Sequence, residues 1–84
     1  MSLYAFQLLS PIVQLLWVIK RGTYLAQRWD DESAVNLYHC AGDGRGFFVE
    51  VGIDDGRGRA VVLRSFNDSE ALEDYAHGVR LPWA

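Results

Sequence analysis

Hydrophobic positions recur along this chain with two different periods, and the change from one to the other falls near residue 22. From Met1 to Ile19 there is no charged residue, and Ile12, Leu15, Leu16 and Ile19 stand at i, i+3, i+4 and i+7, the spacing that lines one face of an α-helix. Ser10 is a preferred N-cap, and Pro11 suits the first helical position, where its missing N–H has no helical bond to lose. Lys20 and Arg21 fall at the negative end of the helix dipole, and Gly22 offers a left-handed stop. A helix over residues 10–21 follows, with the Ile12 stripe as its expected core side. Val13, Trp17 and Val18 make the other side apolar too, so the helix asks for burial on more than one side. Residues 3–9 are compatible with either an extended arm or a further turn of helix.

Beyond Gly22 the period shortens to two. β-branched and aromatic runs over about 23–29, 34–40, 47–53 and 60–66 alternate with polar or glycine-rich punctuation, which reads as four strands. The connections Asp30-Asp31-Glu32-Ser33, Gly42-Asp43-Gly44-Arg45-Gly46 and Asp54-Asp55-Gly56-Arg57-Gly58 are too short for crossovers, so the strands form an antiparallel meander. Gly44 and Gly56 are the expected positions of positive φ. In the third strand Phe47, Val49, Val51 and Ile53 alternate onto one side, with Val35, Leu37, Val61 and Leu63 as their expected matches. The opposite side carries Tyr38, Phe48, Val62 and Phe66 beside Glu50 and Arg64. A second helix is expected over 68–78, with Asn67 as cap, Glu70 at the capping-box spacing, and a Leu72, Tyr75, Ala76, Val79 stripe. The expected fold is α+β, a four-stranded antiparallel meander with the N-terminal and C-terminal helices packed on one face.

Length limits this to one small domain spanning residues 1–84, which is marginally stable unless a disulfide, a metal or self-association helps. Cys40, the one cysteine, can make neither an internal disulfide nor a cysteine-rich zinc site. The uncharged start followed by Lys20 and Arg21 resembles a membrane anchor, but Gln7, Ser10, Pro11 and Gln14 interrupt it. No membrane association is therefore expected, and a reducing cytoplasm is the expected compartment. A net charge of −3 disfavours nucleic acid as a partner; Arg57, Arg59 and Arg64 near Phe48 make only a small basic patch.

No residue set assembles a catalytic, cofactor or metal site. His39 and Cys40 are neighbours on a strand, so their side chains diverge. The two Asp-Gly-Arg-Gly runs, Asp43 to Gly46 and Asp55 to Gly58, are hairpin turns at opposite ends of the sheet rather than a phosphate cradle. The carboxylates at residues 30–32 and 54–55 lack calcium-loop spacing. What stands out is surplus apolar surface. A non-enzymatic, self-associating interaction module, a twofold dimer, is the reading this supports. Val13, Trp17, Val18, Tyr38, Phe48, Val62 and Phe66 are the candidate interface. The alternative is a small-molecule or phosphate-binding protein, an enzyme included, using the arginine-bearing turns or a pocket between helix and sheet.

Overall fold

The computed structural model of the chain describes residues 1–54, 56, 58–68 and 75. Two helices precede four strands: α1 Leu3–Gln7, α2 Pro11–Arg21, β1 Gly22–Asp30, β2 Ser33–Cys40, β3 Phe47–Asp54 and β4 Arg59–Phe66. The sheet order is β1-β2-β3-β4 with every pair antiparallel, which is the expected meander. Apart from Asp68 and Tyr75, the helix expected over 68–78 lies outside the described residues.

The local start signals act as their chemistry dictates. The Ser10 side chain accepts a hydrogen bond from the Val13 amide at 3.4 Å, and Pro11 opens α2. Ser2 caps α1 in the same way through Ala5, so residues 3–7 form a helical turn rather than an extended arm. The end of α2 departs from expectation. Gly22 is extended, at φ −80° and ψ 149°, and leads straight into β1. Its missing side chain serves close approach, because a Cβ there would lie 2.6 Å from the Val18 carbonyl oxygen.

The register decides which residues share a face, since directly paired residues of an antiparallel sheet point the same way. Val49 pairs with Tyr38 and Ser65, and Phe47 with Cys40, while Leu37 pairs with Glu50 and Phe48 with His39 and Phe66. The face assignment expected for β2 is therefore reversed: Leu37 lies on the Glu50 side and Tyr38 on the Val49 side. The connection between β2 and β3 sets this parity, and alternation within a strand carries no record of it. In β4 a bulge between Glu50 and Val51 shifts the pairing by one residue, so Val62 joins Val51 while Arg64 and Phe66 join Glu50 and Phe48. Leu63 is the extra residue. Its side chain lies across Gly52, on the Glu50 side, where a Cβ would meet it at 2.6 Å.

Both faces of the sheet are consequently occupied. On the Val49 side, α1 and α2 bury Phe6 and Val18 against Cys40, Phe47, Val49 and Val51, with the Phe6 and Phe47 ring centroids 5.0 Å apart. On the other side Leu37 and Phe48 pack with Tyr75, and Phe66 stacks on Phe48 at 5.6 Å. Tyr75 thus covers the face opposite the N-terminal helices, not the face they share with Val49 and Val51. β3 is buried on both sides from Phe47 to Gly52.

Candidate functional site

Glu50 sits at the centre of the β3 run and is 1% exposed. A buried carboxylate is costly unless donors surround it, and here they come from three distant parts of the chain. Arg28 of β1 donates its Nε–H to Oε2 at 3.0 Å, the Tyr75 hydroxyl donates to the same oxygen at 2.6 Å, and Arg64 of β4 donates to Oε1. The guanidinium of Arg28 lies 5.8 Å from the centre of the Tyr75 ring, and that of Arg64 lies 5.0 Å from Phe66. Burial by itself pushes the Glu50 pKa up, but the hydrogen bonds from Arg64, Tyr75 and Arg28 outweigh it and hold the carboxyl below its ordinary range. Burial and the adjacent carboxylate push the Tyr75 hydroxyl the opposite way, well above its ordinary value. Glu50 is an ionised acceptor whose oxygens are already engaged, and Tyr75 a retained donor. The cluster is a clamp that ties β1, β3, β4 and residue 75 together, with no proton to exchange near neutrality.

The adjacent pair offers no thiol chemistry. Cys40 points into the Phe6 and Phe47 cluster, and burial pushes its thiol up to about 11. His39 points to the opposite face, edge-on to Phe48 at 5.4 Å, and its Nε2–H donates to the Arg45 carbonyl oxygen at 2.6 Å. Among the described residues no group of three His, Cys, Asp or Glu side chains is placed to hold a metal ion. No described helix is long and apolar enough to cross a membrane. Of the turn arginines, Arg45 precedes β3 and Arg57 lies outside the described residues; Arg59, the first residue of β4, pairs with Asp54 at the far end of β3.

Two of the seven expected interface residues are buried and four are partly buried. Val18 is 0% and Phe48 2% exposed, and Trp17, Tyr38, Val62 and Phe66 are partly buried against the two clusters; Val13 alone of the seven is exposed. The open apolar surface lies elsewhere. α2 rests on the sheet through Val18, with Leu15 and Trp17 beside it, and this turns the stripe expected to be core outward: Ile12 is 69%, Leu16 53% and Ile19 64% exposed. Below the stripe runs a groove of about 510 Å³ between α2 and β4, lined by Pro11, Ile12, Leu15, Asp54 and Arg59 through Val62. A second hollow of about 250 Å³ continues it past Ile19, Ile53 and Tyr38, sharing Leu15 and Ala60 with the first. One side of the molecule therefore carries an exposed apolar stripe beside a groove whose mostly apolar lining is interrupted by Asp54 and Arg59.

Comparison with protein-family models, with curated proteins and with solved structures finds no match to this chain.

Proposed function

We propose that the protein is a non-catalytic, self-associating interaction module whose docking surface is the outer side of α2 and the groove beneath it. The observation that carries this reading is the exposure of Ile12, Leu16 and Ile19 in one stripe. Monomeric proteins rarely leave contiguous apolar patches beyond a few hundred Å² open to water. The sheet edges offer a poorer route to assembly, because β1 and β4 each carry a bulge that interrupts a flat hydrogen-bonding edge.

Magnitudes set the strength expected. Covering what remains exposed of each stripe residue is worth about 1–2 kcal/mol. Two copies would gain about 6–12 kcal/mol, set against a cost of association of about 4–15 kcal/mol. The stripe alone is marginal, so a measurable dimer needs the groove as well, and association belongs at the weak end. Size-exclusion chromatography with light scattering across a concentration series tests this. The expected result is a dimeric mass at high concentration, dissociation on dilution, and a monomeric, fully folded Leu16→Glu variant. A monomeric mass at roughly 100 μM rejects it.

The groove supports a second reading, that of a site for a small apolar ligand between helix and sheet. A saturable rise in melting temperature with such a ligand, in a protein that stays monomeric, would select it.

A further inference from the structure

We infer that the sheet face around Glu50 is a preformed site for a para-substituted phenol, the head of a tyrosyl side chain, and that Tyr75 is its intramolecular occupant. The inference is independent of self-association. Among the described residues, the groups that hold the Tyr75 ring all belong to the sheet. Leu37 of β2 and Phe48 of β3 pack with it, the Arg28 guanidinium of β1 lies 5.8 Å from its centre, and Glu50 of β3 accepts from its hydroxyl at 2.6 Å. Tyr75 is left 4% exposed. The site is thus built on paired strands, which hold such a set of side chains more precisely than loops do, and its occupant comes from outside them.

The chemistry of the site selects its ligand. Arg28 and Arg64 donate to Glu50 from β1 and β4, so the carboxylate stays ionised and in place whether or not Tyr75 is present. An ionised carboxylate only accepts, so it calls for an aromatic group with a hydrogen-bond donor at its tip. The Arg28 cation near the ring favours an electron-rich aromatic, and Leu37 and Phe48 exclude water from it. Because the hydroxyl is directed at Glu50, the para carbon faces the side from which the backbone of residue 75 enters, and a ligand's substituent leaves by the same side. A tethered Tyr75 competes at an effective concentration of about 1 mM or more. An external tyrosyl group therefore enters only by displacing Tyr75, which makes the Tyr75–Glu50 bond an autoinhibitory contact.

Emptying the site in the full chain tests this. Tyr75→Gly removes the occupant, and p-cresol supplies the same carbon and oxygen atoms as a free ligand. Isothermal titration of Tyr75→Gly with p-cresol should show saturable binding, with a matching rise in melting temperature. The isostere p-xylene, with a methyl group in place of the hydroxyl, should bind at least about tenfold more weakly, the discrimination expected of a hydrogen bond to a charged acceptor. The unsubstituted protein and Tyr75→Phe, whose own rings fill the site, should bind p-cresol at least about tenfold more weakly than Tyr75→Gly does. If Tyr75→Gly is unfolded, the same chemistry is read as refolding: p-cresol should restore the far-ultraviolet circular dichroism of the unsubstituted protein, and p-xylene should not. Neither binding nor refolding with p-cresol, or an equal response to the two probes, overturns the phenol site. Equally tight p-cresol binding by the unsubstituted protein places the probe elsewhere and overturns it as well.

Discussion

Replacing Glu50 by Gln keeps the shape of the side chain and removes its charge, so it isolates what the buried carboxylate contributes. Glu50 accepts hydrogen bonds from Arg28, Arg64 and Tyr75 in a site that is 1% exposed. The amide that replaces it has one oxygen, and its NH2 group would confront donors. Breaking a buried ion pair by changing one partner costs about 3–5 kcal/mol. Arg64 is 43% exposed and partly screened by water, so the lower end of that range applies, about 3 kcal/mol. An 84-residue domain has a total stability of about 4–13 kcal/mol, so the loss is a large share of it. Urea unfolding followed by Trp fluorescence should show the midpoint falling with an unchanged slope, and the melting temperature should drop by about 12–24 °C. The pH dependence supplies an independent reading. The folded pKa of Glu50 lies below the ordinary 4.5, so its contribution is complete above that pH and is lost as pH falls through the folded value. Tyr75 is raised above its ordinary 10.0, so its contribution is complete below pH 10 and is lost as pH rises toward the folded value. Glu50→Gln should flatten the acid limb of the stability profile, and Tyr75→Phe the alkaline limb. A loss below about 1 kcal/mol in Glu50→Gln, with the acid limb unchanged, would refute the clamp.

Two further outcomes test the turn and the core thiol. Among the described glycines, positive φ falls at Gly44, Gly46 and Gly58, not at Gly56. Gly46 combines φ +76° with a close approach, since a Cβ there would fall on the Cys40 carbonyl oxygen and 2.9 Å from His39 Nε2. Gly46→Ala should therefore destabilise by more than about 2 kcal/mol, Gly44→Ala, with open space around it, by about 1, and Gly56→Ala by under about 0.5; equal losses at the three sites would contradict this ordering. Cys40, pushed up to about 11, should resist alkylation at pH 8 until denaturant is added, and rapid labelling of the folded protein would place the thiol outside the core.

Apart from α1, the described elements were legible in the residues, because each is specified locally. Ser10 and Pro11 start α2, the period-two runs mark the four strands, and the short connections leave only antiparallel pairing. These signals act over a few residues and need no knowledge of what lies across the sheet. Glu50 left a partial trace as a single acid inside Phe47-Phe48-Val49-Glu50-Val51, on a face expected to hold Arg64 as well. Arg28 and Tyr75, which complete the clamp, stand 22 and 25 residues from it in sequence. Only the fold brings them to the same carboxylate.

The faces were a different matter. α2 is apolar nearly all round, so periodicity identifies a helix without choosing which side meets the sheet; packing chose Val18 and left Ile12, Leu16 and Ile19 outside. Alternation sorts each strand into two sets but cannot match the sets of neighbouring strands. That matching depends on the register through a connection and on bulges, and a shift of one residue sends a side chain to the opposite face. Among the described residues, the sequence alone determined α2, the four strands and the order in which the strands pair. The tertiary structure decided which apolar residues became core and which became surface, because that choice follows from contacts between segments far apart in the chain.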